Sequence, residues 1–284
     1  MKAAPPPAPG TRPTGVAPAE AAAHVRGMFD QIAPTYDRAN HLLSLSIDRY
    51  WRWRTVRTLR RLLPPAPLGA AMDASAGAPI NARAQAPILD ICCGTGDLTL
   101  ALRAGLRDRP ILGADFSAPM LTRAAAKTRH PGAPARRGDA AAPGPAPISW
   151  LQADALHLPF PPASLAALAA GFGFRNLSDY RAGLAEFLRL LQPGGVLAIL
   201  EVSRPALPLL GRLYSVYFER ILPRLGGWIS GHPDAYRYLP ESVGRFPAPP
   251  TLAAWMRDCG FTQVRYRRLA GGIAVLHTAA KPCP

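Results

Sequence analysis

The chain has 284 residues, with 33 lysines and arginines against 18 acids, and every basic residue except Lys2, Lys127 and Lys281 is arginine. That length suits one sizeable core, or one core with a small cap, and no run of about 18 apolar residues is present to span a bilayer. Cys92, Cys93, Cys259 and Cys283 show neither metal-ligand spacing nor a disulfide framework, so no metal centre is expected and a reduced, cytoplasmic setting is.

Residues 1–20 are rich in proline and alanine and read as a disordered tail without the apolar centre of a signal peptide. From 21 to 63 the pattern turns helical: Val25, Met28, Phe29 and Ile32 share one face, followed by Leu42, Leu43, Leu45 and Ile47 and then Trp51, Trp53, Val56 and Leu59. This N-terminal helical cap is interrupted at Pro34, which leaves Tyr36-Asp37-Arg38-Ala39-Asn40 as a polar elbow. Trp51 and Trp53 read as buried packing residues. Residues 64–87 carry no periodicity and read as a low-complexity insertion.

The main domain, 88–284, opens on Ile88-Leu89-Asp90-Ile91-Cys92-Cys93-Gly94-Thr95-Gly96-Asp97. The apolar run suits a parallel strand buried on both faces, and Gly94 and Gly96 permit a sharp turn with close ligand approach. Asp97 then caps a helix from Leu98. Nineteen residues after Gly96, the run Ile111-Leu112-Gly113-Ala114 ends in Asp115, placed to take a ribose diol, with Phe116 beside it. A third run, Ile148 to Ala153, ends in Asp154 beyond a second insertion at 130–147. Strand ends finishing in glycines and acids argue against a dinucleotide, whose pyrophosphate Asp97 would repel. They favour a cationic cofactor without phosphates, for which S-adenosylmethionine, with its ammonium, sulfonium and ribose diol, is the natural choice.

Leu165 to Phe172 is a fourth apolar run, Asp179 to Leu191 a helix, and Val196 to Leu200 a fifth strand launched by Gln192-Pro193-Gly194-Gly195 and closed at Glu201. A helical segment at 207–229 within a second, substrate-side cap at 205–250 leads into a loop at 231–239; a helix at 251–259 and a hairpin around Gly271-Gly272 close the chain. The alternation predicts a doubly wound parallel sheet.

The stretches Met28 to Asn40, Gly171-Phe172-Gly173-Phe174-Arg175-Asn176-Leu177, Leu191 to Gly195 and Tyr236-Arg237-Tyr238-Leu239-Pro240-Glu241-Ser242 resemble the ubiquinone/menaquinone biosynthesis C-methyltransferase family. The resemblance spans about residues 24–63, 87–129 and 148–281. It implies an α/β fold, the Rossmann-like seven-stranded sheet of class I methyltransferases with a helical cap. It also implies methyl transfer from S-adenosylmethionine to a ring carbon of a polyprenylated hydroquinone. Matching positions place Thr95, Asp115, Asp154 and Ala155 on the cofactor, with Gly94, Gly96, Asp97 and Phe116 around it, and a family serine falls on Gly171. Arg175 is the candidate to stabilise a phenolate or orient the water that takes its proton, with a surface ion pair to Asp179 as the structural alternative. Asn176 would bond the second ring oxygen or hold a neighbouring loop, and Tyr36, Asp37, Tyr236 and Tyr238 would close over the ring. Cys92 and Cys93 read as small buried residues of the turn.

Competing readings are a methyltransferase for another lipid or phenolic acceptor, and a non-catalytic cofactor-binding accessory protein. Benzoquinol and naphthoquinol acceptors stay equally open. The arginine excess is as well explained by GC-rich coding as by an anionic partner. No strand alternates aromatic and basic residues as single-strand binders do, so no specific nucleic acid is expected. A lipid acceptor implies peripheral contact with the inner face of the membrane, and a homodimer is compatible with the pattern.

Overall fold

The computed structural model describes residues 10, 18–64, 86–129, 148–205, 211, 214, 216–231 and 233–283. All of the expected tail up to Ala17 except Gly10, most of the insertion at 64–87, the insertion at 130–147 and most of the start of the 207–229 helix lie outside these residues, and the last three residues of the expected tail, Pro18 to Glu20, are helical instead. Three helices come first: α1 (Pro18–Ile32), α2 (Tyr36–Leu43) and α3 (Ile47–Leu62). They lead to β1 (Ile88–Ile91), α4 (Asp97–Gly105), β2 (Ile111–Asp115), α5 (Ala118–Arg129), β3 (Ser149–Gln152), β4 (Leu165–Gly171), α6 (Tyr180–Leu190) and β5 (Leu191–Val202). A π-helical turn at Tyr217–Ile221 continues into α7 (Leu222–Ser230) and α8 (Pro233–Arg245), then α9 (Pro249–Asp258) and the hairpin β6 (Thr262–Leu269) and β7 (Ala274–Ala280).

The seven strands form one sheet in the order β3-β2-β1-β4-β5-β7-β6, with β1 to β5 parallel and β7 and β6 antiparallel at one edge. The expected doubly wound sheet and its terminal hairpin are therefore both present. Strands buried on both faces sort their side chains between two cores. Leu89, Ile91, Leu168, Leu197 and Ile199 face Phe174, Tyr180, Phe187, Leu252 and Met256. Ile88, Ile111, Ala167, Ala169, Ala198 and Leu200 face Val56, Leu59, Leu98 and Leu102. So α6 and α9 cover one face, while α3 and α4 cover the other.

The cap divides differently from the sequence reading. Helix α3 packs on the sheet through its Val56 and Leu59, whereas α1 and α2 form a third core with the second cap: Ile32, Ala39 and Leu43 meet Phe218, Leu222, Tyr236 and Val243. The expected elbow at Tyr36–Asn40 is instead the first turn of α2, because the break at Pro34 needs only a short turn before helix resumes. The expected loop at 231–239 is likewise helical: α8 buries Ala235, Tyr236, Ser242 and Val243 along one face, a period of 3.6 that outweighs the interior Pro240. Trp51 is buried as expected, but Trp53 is exposed on the outer side of α3.

Register sets the site. Ile91 lies level with Ala114 on one side and Ala170 on the other, so Cys92, Asp115 and Gly171 leave the sheet side by side. Ligand sites of open parallel sheets form at such carboxyl ends.

Candidate active site

The turn after β1 has left-handed backbone at Gly94 (φ 54°) and Gly96 (φ 83°), and also at Cys92 (φ 55°), where a side chain is strained. Gly96 is required twice over, since a Cβ there would lie 2.6 Å from the Trp150 ring. Gly113 is needed for the same indole, which would meet its Cβ at 2.4 Å. The Asp115 carboxylate clasps the turn: the Gly94 N–H donates to its Oδ2 at 2.7 Å and the Ser117 N–H to its Oδ1 at 2.9 Å. Burial pushes the Asp115 pKa up to about 6, against those backbone bonds. Asp90 is more enclosed. Its Oδ2 accepts from the Thr99 hydroxyl at 2.6 Å, its Oδ1 has no partner among the described residues, and burial pushes its pKa up to about 7.

A cavity of about 340 Å³ opens above these strand ends. Asp90, Cys92, Gly94, Thr95, Asp115 and Gly171 form its floor; Phe29, Tyr36, Leu43, Trp51, Phe172, Tyr214, Tyr217 and Phe218 make its walls largely apolar and aromatic. Arg175 enters one wall from a single 3-10 turn, Phe174–Asn176, that follows β4. Its pairing differs from the expected one. Arg175 is buried, and its Nη1 meets Glu201 Oε2 at 3.0 Å and donates to the Phe172 carbonyl, while Asp179 caps α6 through the Ala182 N–H at 2.9 Å. Burial disfavours the guanidinium charge, but Glu201, Tyr36 and Tyr238 more than restore it. Nε of Arg175 is buried without a partner among the described residues. Burial likewise raises the pKa of the Tyr36 phenol, and Arg175 opposes that rise.

The first cap is tied to the cofactor-type turn by charge. Thr95 Oγ1 donates to Asp37, and Lys127 Nζ sits 2.6 Å from Asp37 and 2.7 Å from Asp97. Arg52 bridges Asp48 at 2.5 Å and Asp97 at 3.3 Å, and His41 contacts both acids at 2.8 and 3.5 Å. His41, Asp48 and Asp97 cluster closely enough to suggest a cation, but the Arg52 guanidinium already fills that role. Asp97 therefore does not cap α4 as expected; Gly96 holds the N-cap position and the carboxylate turns to its cations.

Of the residues singled out from the sequence, Tyr36, Gly94, Thr95, Asp97, Asp115, Phe116, Gly171, Arg175 and Asn176 line the cavity. The others lie elsewhere. Asp154 points to solvent, its side chain 63% exposed and its Oδ1 accepting the Leu156 N–H, and the neighbouring Ala155 packs into the sheet core. Asp37 is engaged by Thr95 and Lys127, and Gly96 lies beneath Trp150. Tyr236 packs on Gly226 in the cap core, and Tyr238 donates from its hydroxyl to Asn176 Oδ1 at 3.1 Å, so Asn176 holds helix α8. At Gly171, where the sequence resemblance implies a serine, a Cβ would come within 2.9 Å of the movable Leu98 Cδ2. Sequence reasoning missed Asp90 and Glu201; the signal was an acid within or closing an apolar strand.

The sequence pattern of the ubiE/COQ5 methyltransferase family matches residues 18–281. The chain is 42% identical over 255 residues to the demethylmenaquinone methyltransferase of Thermus thermophilus, covering 90% of this chain and 100% of that one. It is 39% identical over 259 residues to the ubiquinone/menaquinone biosynthesis C-methyltransferase UbiE of Syntrophotalea carbinolica, covering 91% and 94% of the two chains. Among solved structures, a SAM-dependent methyltransferase of Thermotoga maritima, described as a possible histamine N-methyltransferase, superposes with a TM-score of 0.54 at 18% identity, covering 91% of this chain and 100% of that one. The chain belongs to the ubiE/COQ5 methyltransferase family and has the class I fold of S-adenosylmethionine-dependent methyltransferases.

Proposed function

We propose that this enzyme transfers a methyl group from S-adenosylmethionine to a ring carbon of a polyprenylated hydroquinone, a reading supported by relatives named demethylmenaquinone methyltransferase and ubiquinone/menaquinone biosynthesis C-methyltransferase. The residues present fit that cofactor. The partnerless Oδ1 of Asp90 suits its ammonium, the Asp115 carboxylate its ribose diol, and the side-chain-free backbone at Gly94 and Gly96 permits close approach. When bound, the cofactor supplies an electrophilic methyl carbon. Thr95, Asp97 and Phe116 would frame it, and Asp154 and Ala155, at the end of β3, would reach it only after moving inward.

The chain's remaining task is to make a ring carbon nucleophilic and dry. Ionising a phenol of pKa near 10 at neutral pH requires about 3 units, or about 4 kcal/mol. The Arg175–Glu201 pair is neutral overall, so its contribution comes from directed N–H donation rather than bare charge. Buried Arg175, which lines the cavity and whose Nε has no partner among the described residues, is the observation that carries the reading. A preorganised donor aimed at developing oxyanion charge is worth about 3–4 kcal/mol, comparable to the requirement. Tyr36, from α2, faces the same space and excludes water, while the apolar aromatic walls receive the ring and the start of its tail. A polyprenyl acceptor brings the enzyme to the membrane periphery, and no helix among the described residues is long and apolar enough to cross one.

Incubation of the purified protein with methyl-labelled S-adenosylmethionine and either demethylmenaquinol or the benzoquinol precursor tests this reading. Label recovered on a ring carbon is the expected result. Tight adenosylhomocysteine binding without label transfer to either quinol would overturn it.

A further inference from the structure

Among the described residues, the exposed large apolar side chains other than Leu62 and Tyr266 gather around the mouth of the cavity. Leu42, Leu45 (79% exposed) and Ile47 crown the α2–α3 junction, and Tyr50 and Trp53 continue along α3. Across from them Val216, Ile221, Leu225 and Trp228 (85% exposed) stand on the π-helical turn and α7, the last three at the spacing of one helical stripe. These two groups are adjacent. The Tyr217 hydroxyl donates to the Leu43 carbonyl at 2.7 Å, and Leu43 and Leu222 share the cap core. Leu45 and Ile47 also line the cavity, so the opening from which a long tail would emerge lies within the patch.

Among the described side chains, the charge around this patch is predominantly basic. Helix α3 carries Arg49, Arg52, Arg54, Arg57, Arg60 and Arg61 against a single acid, Asp48, which is buried and engaged by Arg52. Arg54 and Arg57 lie over the Trp53 ring at 5.9 and 5.1 Å, and Arg220 and Arg224 are exposed beside the Leu225 stripe. An apolar face with aromatic residues at its margin and arginines around it matches a lipid–water interface bearing anionic headgroups.

We infer that this rim, from Leu42 to Trp53 and from Val216 to Trp228, docks on an anionic phospholipid leaflet, with the cavity mouth pressed to the membrane so that a prenylated ring enters without crossing water. The inference rests on the lipid acceptor proposed above. A leaflet is preferred over a second copy of the chain because the described charges around the patch are predominantly cationic, which would repel in a self-complementary interface. Single-stranded nucleic acid is disfavoured because the exposed Leu42, Leu45, Ile221 and Leu225 offer it nothing to pair with.

Vesicle flotation of the full chain, with phosphatidylcholine alone and with about 30 mol % phosphatidylglycerol, tests the assignment. Binding to the anionic vesicles that weakens with salt is expected. The L225S/W228S double variant should bind them about tenfold more weakly, as should R54Q/R57Q. None of these four residues lines the cavity, so each variant should keep wild-type adenosylhomocysteine affinity and wild-type turnover of a short-tailed, water-soluble quinol, losing rate only with quinol held in vesicles. Equal vesicle binding by wild type and L225S/W228S would overturn the assignment. So would dimerisation in light scattering that the variant abolishes while vesicles are ignored. If vesicles bind as expected but no quinol is methylated, the docking surface stands and the acceptor assignment fails.

Discussion

The two walls of the cavity are held by different kinds of bond. On the strand-end wall, Asp115 receives two backbone N–H groups, Gly96 is sealed under Trp150, and β1, β2 and β4 fix the level of every residue that reaches the floor. On the cap wall, α2 is fastened to the turn by polar side chains: Thr95 to Asp37, Lys127 to Asp37 and Asp97, and His41 to Asp97. A backbone clasp in a buried sheet cannot open without breaking the fold, whereas partly exposed ion pairs separate at small cost. The contrast suits a fixed half to the small polar cofactor and an adjustable half to the ring and tail of the proposed acceptor.

Arg175 belongs to the fixed half, and its loss gives the largest expected effect. Arg175→Ala leaves Glu201 buried without its partner, which costs about 3–5 kcal/mol of stability, seen as a lowered urea midpoint. Turnover should fall at least about 100-fold. Pairing the change with Glu201→Gln removes the stranded charge and should recover most of the stability but none of the turnover. If the double variant regains activity, Arg175 acts only through the fold. Next in size is Gly96→Ala. It combines a left-handed φ with a Cβ against Trp150 and should cost about 3 kcal/mol, with loss of adenosylhomocysteine binding in calorimetry. Full affinity in that variant would show that the turn can shift, and the contrast between the walls would weaken.

The same division decides what was legible. The turn, the five parallel strands and Asp115 are written in contiguous residues, because an apolar run, two glycines and a strand-end acid have one local meaning. Asp90 and Glu201 were missed because their importance lies in what faces them: Thr99 lies nine residues on, and Arg175 is 26 residues before Glu201. The cap was harder. Residues 231–239 read as a loop in the sequence where burial of Tyr236 and Val243 selects a helix, and Tyr36 reads as elbow where it begins α2. Tyr236 and Tyr238 were placed over the ring from motif alone, yet one fills the cap core and the other bonds Asn176. Side-chain pairings across distant segments leave no local pattern.

A pH experiment sharpens the fixed half further. Asp90 is pushed up to about 7 from a normal value of 3.8, so between those values the folded enzyme holds a proton that the unfolded chain has released. Stability from this group is fully present below pH 4 and is lost as pH rises through about 7; Asp115, pushed up to about 6, acts in the same direction. Asp90→Asn should flatten that decline and make the ligand-free protein more stable than wild type at pH 8, by on the order of 2 kcal/mol, measured by urea unfolding across pH. It should also remove the rise in adenosylhomocysteine affinity expected as Asp90 ionises between pH 6 and 8. A wild-type affinity that does not change over that range would remove Asp90 from the ammonium site.

The smallest effect tests the adjustable half. Lys127 joins Asp37 of the cap to Asp97 of the turn, and all three side chains are about a quarter exposed, so water and salt screen the pairing. Lys127→Met should therefore cost only about 0.5–1 kcal/mol globally, yet all of that cost falls where α2 meets the turn. Amide exchange in Tyr36–Leu43 should quicken about three- to fivefold while β1 and β4 stay unchanged. The KM for quinol should rise more than kcat falls, because a loosened lid weakens capture of the ring and leaves Arg175 in place. High salt should produce the same exchange pattern in wild type and add little to the variant. Faster exchange in α2 and β1 alike would mean that the ion pairs brace the whole sheet end, and the cap would then be part of the rigid site.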